Sequence, residues 1–430
     1  MLLVSAGSNA RGQLATGDQE DAHTFTKCCF EGYAPGQLPQ GTQTVVQITC
    51  GANHTLLLLE RTQDTSSSTR RELWSCGDGS KSQLGSSVVE SSSVFVPLNL
   101  ELQSLGLEGY TVQTVAACWE TSFVALTHPD RSDVLLSMGS DDFGNLGIGG
   151  TKGKSTRCIH RVPFGGECLG TDDPCTIRVL SLAAGPHHVA IRLSAKLAGR
   201  SVQERLVGWG TSRHGQLGDL KITRMGRPVP FVDSPWPVAL PVGNTLKEFS
   251  LGNQHSVFLL SSGRLYGIGS NRRGQLNEID QHKDVSSVSC TWNGTYVVMR
   301  QNSTWTILSL GASHKGQLGR QIPNEPDHTT GIAPAPVEFP FGADTRELIK
   351  VACGSEHVLC LFSLRDALPG DTASSQREVW AWGWNEHGTL GDGTTEDRNF
   401  PQKVWPPDES SRRAVDISAG CGNSWIVLEG

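Results

Sequence analysis

No window of this 430-residue chain approaches 18 consecutive apolar residues, so it offers no membrane-spanning helix. It opens on "MLLVSAGSNARG", which has no basic n-region and too short an apolar run for a signal peptide. Charged residues are scarce at 18%, the net charge is −7, and no Lys/Arg block or basic tail appears. Together these argue against a general nucleic-acid binder. The twelve cysteines form no CxxC pair, and the chain shows no HExxH, no GxSxG and no Cys/His cluster at zinc spacing. With no secretion signal, the cysteines are expected to be reduced structural thiols, and the three Asn-x-Ser/Thr sequons carry little weight. One segment, "GIGGTKGKS" (147–155), approaches a phosphate-binding loop, but the required first Gly is Ile148 and nothing helical follows. It reads as a turn. No cofactor is expected.

What is abundant is glycine, 49 residues, set among strand-like runs of Val, Leu, Ile and Trp. That mixture suits many short strands joined by tight turns. Two half-motifs recur seven times each and alternate strictly along the chain. The first is an apolar strand, a Gly and a short polar tip ending in Gly-Gln-Leu or a near variant. It reads "VSAGSNARGQL" (4–14), "WSCGDGSKSQL" (74–84), "LSMGSDDFGNL" (136–146), "VGWGTSRHGQL" (207–217), "YGIGSNRRGQL" (266–276), "LSLGASHKGQL" (308–318) and "WAWGWNEHGTL" (380–390). The copies lie 42 to 72 residues apart.

The second half-motif is strand, tight turn, strand, with the turn ideally Gly-x-x-His. It reads "VQITCGANHTLLLL" (46–59), "VQTVAACWETSFVAL" (112–126), "LSLAAGPHHVAI" (180–191), "EFSLGNQHSVFLL" (248–260), "SSVSCTWNGTYVVM" (286–299), "KVACGSEHVLCLF" (350–362) and "VDISAGCGNSWIVL" (415–428). Seven units of about four strands predict a β-propeller, a closed architecture that hides its sheet edges. Because the chain starts in the first half-motif and ends in the second, residues 1–17 and 414–430 are expected to share one composite closing blade. The whole of 1–430 is then a single domain.

These half-motifs resemble the regulator-of-chromosome-condensation repeat family, over essentially the whole chain. The resemblance implies an all-β, seven-bladed β-propeller closed by its N- and C-terminal strands. Alternation of strand direction puts the Gly-x-x-His turns and the Gly-Gln-Leu tips on one face. The variable connections, 18–44, 60–72, 152–176, 194–205 and 363–378, share the other face and read as solvated loops.

On the repeat-tip face the recurring His54, His188, His255 and His357 are better suited to structural hydrogen bonding than to catalysis, since an active site is singular. The tips carry Arg11, Lys81, Arg213, His214, Arg272, Arg273, His314 and Lys315 against few acids. This mildly basic rim either meets an acidic partner or is simply solvated. Two turns break the pattern: "CWETS" (118–122) and "TWNGT" (291–295) lose both the Gly and the His and gain Trp119 and Trp292. Trp384 is a third oddity, directly after its strand Gly. By contrast Trp209 and Trp382 precede that Gly inside strands and read as core.

Blade order puts Trp292 and Trp384 on adjoining blades and Trp119 roughly across the ring. Large aromatics on turns of one face either form a contact surface or fold back to plug the central shaft. The candidate partner-binding set is Trp119, Glu120, Trp292, Asn293, Trp384, Glu386, His387, Arg272 and Arg273.

Within the repeat family, "CWETS", "WGWNEHG" (382–388) and "GCGNSWIVL" (420–428) resemble the fungal alpha-tubulin-suppressor, or killer-toxin-insensitivity, propellers. That resemblance implies a non-enzymatic adaptor, cytoplasmic with or without a nuclear pool. Its implied heterodimer partner is a small acidic CSL-type zinc-finger protein, acting indirectly with the Elongator complex in tRNA wobble-uridine modification and with the diphthamide synthesis enzymes. Direct nucleic-acid or membrane contact is not expected. The alternative is guanine-nucleotide exchange on a small GTPase, for which no wedge can be assigned. Plant-type ultraviolet sensing would need neighbouring strand Trps in repeated motifs, and eleven scattered Trps do not supply that.

Overall fold

The computed structural model describes residues 1–62, 69–85, 90–150, 158–170, 175–197, 201–218, 229–302, 304–322, 332–365, 376–408 and 411–429. Seven antiparallel sheets are arranged as blades, ordered from inner to outer strand. Blade 1 comprises Thr42–Cys50, His54–Thr62, Thr69–Asp78 and Ser91–Pro97, and blade 2 Thr111–Ala117, Thr121–Thr127, Val134–Gly139 and Ile159–Arg161. Blade 3 comprises Cys175–Ala184, His188–Leu197, Gln203–Thr211 and Phe231–Pro237. Blade 4 has three strands, Leu246–Leu251, His255–Leu260 and Leu265–Gly269. Blade 5 comprises Val285–Cys290, Gly294–Gln301, Thr304–Gly311 and Ala335–Pro336. Blade 6 comprises Arg346–Cys353, His357–Leu364, Arg377–Gly383 and Arg398–Trp405. In blade 7, Arg413–Ala419 and Asn423–Glu429 from the C-terminus continue into Leu2–Gly7 and Ala22–Lys27 from the N-terminus. Leu2 to Gly7 pair residue by residue with Leu428 to Asn423.

The second strand of each blade is covered by neighbouring blades on both faces. This is why "LLLL" (56–59), "FVAL" (123–126) and "WIVL" (425–428) run apolar without alternation and are buried throughout. Two sequence expectations need correction. Blade 4 lacks a fourth strand because it has the shortest repeat spacing; Leu276 and Ile279, on a one-turn 3-10 helix (Ile279–Gln281), close over Gly267 instead. Residues 18–44 are not merely a solvated loop, since they contain the outer strand Ala22–Lys27 and the buried Cys28, Phe30 and Leu38. Likewise 152–176 holds the outer strand Ile159–Arg161, while the Gly153–Ser155 part of the phosphate-loop look-alike lies outside the described residues.

The Gly-Gln-Leu tip is a hydrogen-bonded device. Its Leu is buried in every blade but the fourth, where Leu276 is half-buried, and its Gln side-chain oxygen accepts the backbone N–H two residues earlier, from Arg11, Lys81, His214, Arg273 and Lys315 in their respective tips. The Asn or Asp near the tip start (Asn9, Asp141, Asn271, Asn385) accepts the N–H of the Leu. At the strand end Gly311 has φ +114°, and a Cβ there would lie 2.2 Å from the Asn293 carbonyl in the adjacent turn. Tip and turn are thus pressed together on one face.

Candidate functional site

That face is built around the mouth of the shaft, and its construction explains the two aberrant turns. In a regular turn the His ring folds onto the Gly. A Cβ on Gly252 would sit 2.1 Å from His255 Cε1, and one on Gly354 would sit 2.0 Å from His357 Cε1. Gly and His are therefore one unit, because the ring occupies the space that any other side chain would need.

The ring then reaches the next blade. His54 Nε2 meets Ser122 Oγ at 2.9 Å, His188 meets Ser256 at 3.1 Å, His255 meets Thr295 at 3.1 Å and His357 meets Ser424 at 3.2 Å. Ser122, Ser256 and Thr295 donate their own protons to tip carbonyls of the preceding blade, those of Gln83, Gln216 and Gln275. At those three joints the imidazole must then be the donor through Nε2–H. Burial holds these histidines neutral, with His54, His255 and His357 lowered to about 4 and His188 to about 3. They are latches, not acid–base groups.

Blades 2 and 5 lack the His (Thr121, Gly294), and the blade after each has Val189 or Val358 where the Ser or Thr would stand. There the tip carbonyl is taken by an indole. Trp209 Nε1 donates to the Asn145 carbonyl and Trp382 Nε1 to the Gln317 carbonyl, each at 2.8 Å. The two strand tryptophans, both wholly buried, are a second kind of blade latch. At the closing joint Thr55 Oγ1 donates to the Gln13 carbonyl at 2.9 Å, and the Cys76 thiol donates to the same carbonyl at 3.4 Å.

The loss of Gly and His at residues 118–121 and 291–294 is thereby compensated from the next blade. No latch involves the side chains of Trp119 or Trp292; only their backbones take part in the ring around the mouth. Trp119 N–H donates to the Pro186 carbonyl and Trp292 N–H to the Ser355 carbonyl, while their own carbonyls accept from Ala52 and Asn253.

The indoles themselves meet. Although blades 2 and 5 lie across the ring, Trp119 and Trp292 extend over the mouth with ring centroids 5.6 Å apart and planes at 42°. They cap a cavity of about 160 Å³ also lined by Cys50, Cys118, Cys290, Cys353 and Cys421. The geometry is thus a partial plug whose outer surface is open, since Trp119 is 37% exposed. The expectation of separated turn tryptophans is corrected at the level of side chains.

Trp119 continues into His187 at 5.7 Å, and His187 into Phe143 at 4.8 Å. Phe143, 42% exposed, escaped the sequence-based set. It stands where the sibling tips carry Arg11, Lys81, His214, Arg273, Lys315 and His387, so one Phe in a basic column was the available signal. Glu356 was also missed. Its carboxylate accepts Asn293 Nδ2 at 2.6 Å and Gln317 Nε2 at 2.7 Å, which ties the Trp292 turn to the blade 5 tip. Burial raises its pKa against the lowering effect of those bonds and of His314 and Arg273.

The remaining sequence candidates separate into groups. Asn293 joins the Trp pair through Glu356, and Glu120 adjoins Trp119 in the turn. Trp384, Glu386 and His387 form their own cluster. The Trp384 ring lies 5.4 Å from His387, its Nε1 donates to Glu386 at 3.2 Å, and His387 Nδ1 sits 2.7 Å from Asp21. Among the described residues no ring contact joins Trp384 to the other two turn tryptophans. Arg272 and Arg273 project exposed from the blade 4 tip.

No group of three or more His, Cys, Asp or Glu among the described residues could hold a metal, and no helix there is long and apolar enough to cross a membrane. All twelve cysteines are unpaired, and burial raises several, Cys28 and Cys50 to about 12. A cavity of about 710 Å³ lies elsewhere, between the outer strands of blades 2 and 3.

The RCC1-like domain model matches residues 2–426. The ultraviolet-B receptor UVR8 of Arabidopsis thaliana is 27% identical over 99% of this chain and 83% of its own length. The secretion-regulating guanine nucleotide exchange factor of Mus musculus is 26% identical over 100% of this chain and 84% of its own. The crystal structure of Prp20p from Saccharomyces cerevisiae superposes with a TM-score of 0.69 at 18% identity, covering 100% of this chain and 92% of that one. That last likeness concerns the fold.

Proposed function

This chain belongs to the RCC1-like domain family, and from that premise we propose that it is a non-enzymatic protein-binding adaptor whose partner docks on the repeat-tip face over Trp119 and Trp292. The observation that supports this is the paired indoles at the shaft mouth. The latches and the backbone ring leave their side chains without a structural task beyond capping a small cavity, and large amphipathic aromatics of this kind make strong contact anchors. The partner class proposed is a small acidic CSL-type zinc-finger protein. The pair would act in Elongator-dependent tRNA wobble-uridine modification and in diphthamide synthesis, in the cytoplasm with or without a nuclear pool. The resemblance of "CWETS" and "WGWNEHG" supports this finer part.

A second reading, nucleotide exchange on a small GTPase, is favoured by the full-length similarity to the mouse exchange factor. Affinity purification with mass spectrometry separates the two. The adaptor reading expects a small zinc-finger protein that is lost from the Trp119→Ala/Trp292→Ala variant while that variant still unfolds cooperatively. Recovery of a GTPase whose capture depends on bound nucleotide decides for exchange.

A further inference from the structure

The charges around the aromatic strip are unevenly distributed. Blades 3, 4 and 5 present no carboxylate at their tips (211–216, 270–275, 312–317) or turns (185–188, 252–255, 291–294). Arg213, Arg272 and Arg273 are exposed there, and no ion pair engages them among the described residues; Lys315, by contrast, lies 3.5 Å from Asp397. Their fields overlap. After its partial burial, Arg272 and Arg213 are what depress the proton affinity of His214 between them. The field of Arg273 reaches Glu356, which is bonded to the Trp292 turn. Packing joins the same parts: a Cβ on Gly269, at the base of the blade 4 tip, would lie 3.2 Å from Gln216 Cα in the blade 3 tip, and the His187 ring of the blade 3 turn lies 5.7 Å from Trp119.

The one carboxylate at that junction, Glu356, directs both oxygens inward to Asn293 and Gln317. On the other side of the mouth the charge is mixed or acidic. Glu120, Asp141 and Asp142 belong to blade 2, Glu386 to blade 6, and His387 is engaged by Asp21. In a chain of net charge −7, uncompensated arginines on two adjoining blades, within a three-blade arc whose tips and turns carry no carboxylate and beside an exposed indole, are a directional feature.

We infer that the docked partner sits off the propeller axis, toward blades 3 to 5, with an acidic segment on Arg213, Arg272 and Arg273 and an adjoining bulky apolar side chain on the open face of Trp119. This rests on the docking reading of the same face and specifies its position and chemistry. Electrostatic complementarity of this kind fixes orientation and speeds encounter, and the apolar contact slows release.

The test uses the full chain and a fluorescein-labelled 14-residue peptide of Asp and Glu with a central Leu-Phe pair, followed by anisotropy at low and moderate salt. Saturable binding that weakens with salt and quenches tryptophan emission is expected. Arg213→Glu/Arg272→Glu/Arg273→Glu should weaken it at least ~10-fold and flatten the salt dependence. Arg11→Glu/Lys81→Glu, on the blade 7 and blade 1 tips, should change it less than ~3-fold. Equal losses from the two charge sets, or equal binding of a peptide with Gln and Asn for its acids, overturn the off-axis inference. If Trp119→Ala abolishes binding while the triple arginine variant does not, the charged half is wrong and the docking face stands. If the acidic peptide fails to bind at all, the stated chemistry is refuted, and the partner pull-down alone then decides the adaptor reading.

Discussion

The pairing of Gly and His in each regular turn makes a quantitative prediction at blade 4. In Gly252→Ala the new Cβ would lie 2.1 Å from His255 Cε1, so the ring must move and strain its bond to Thr295. Overpacking of this kind costs about 1–3 kcal/mol. His255→Thr removes a buried imidazole and the joint to blade 5, with a cost of about 2–4 kcal/mol from cavity and lost hydrogen bond together. In the double variant the clash with the ring no longer exists, and the added methyl fills part of the vacated space. The residual contact with the Thr291 carbonyl, 2.9 Å, is common to both backgrounds and cancels in the cycle. The double variant should therefore cost less than the sum of the two single variants, a favourable coupling of about 1–3 kcal/mol. Equilibrium urea unfolding of the four proteins, followed by tryptophan fluorescence with unchanged m-values, measures it. Additivity within about 0.5 kcal/mol would refute the argument that Gly is present to make room for His.

Acid should act on the same latches. The four histidines titrate near 6.5 when unfolded and at about 3 to 4 when folded, so the unfolded state binds more protons below pH 6.5. Their contribution is complete above pH 6.5 and is lost as pH falls toward 4, at up to about 1.4 kcal/mol per pH unit for each histidine. A midpoint of urea unfolding that does not fall between pH 6.5 and 5 would contradict it. The tryptophan latch can be tested by Trp209→Phe, which leaves the buried Asn145 carbonyl without its indole donor and should cost about 2–4 kcal/mol. Adding Val189→Ser should recover part of that loss by rebuilding the hydroxyl-to-carbonyl bond used at Ser122, and no recovery in the same unfolding assay would sink the proposed equivalence.

The repeat architecture was legible because the second strand of each blade is buried on both faces and every tip ends in a Leu, preceded by Gln in five of the seven, so the physical demands recur in the sequence. The outer strands were not legible. Ala22–Lys27 and Ile159–Arg161 are short, largely exposed and lie within polar connections, where neither alternation nor a continuous apolar run marks them. The missing fourth strand of blade 4 was visible only as a short spacing.

At the site, blade order correctly put Trp119 and Trp292 on distant blades, but backbone order says nothing about how far an indole reaches over a narrow mouth. Glu356 was hidden because one acid in a Gly-x-x-His turn looks like any exposed turn acid. Only the amides of Asn293 and Gln317 converging on it reveal its task.

The aberrant turns acquire their meaning from the neighbouring blades. Had "CWETS" simply decayed, the Asn145 carbonyl and the space above Cys118 would be left without partners, and the joint to blade 3 would be weak. Instead Val189 and Trp209 change together in blade 3, and Val358 and Trp382 make the same paired change after "TWNGT". Two joints out of seven have thus exchanged a turn-based latch for a strand-based one. The exchange frees the first turn residue from being Gly and the fourth from being His. It does not by itself require a Trp at the second, since Ala52, Asn253 and Ser355 hold that position and donate to the backbone ring, and Pro186 joins it through its carbonyl alone. The two indoles over the mouth serve no latch, and their open aromatic surface is the physical reason to look for a partner there.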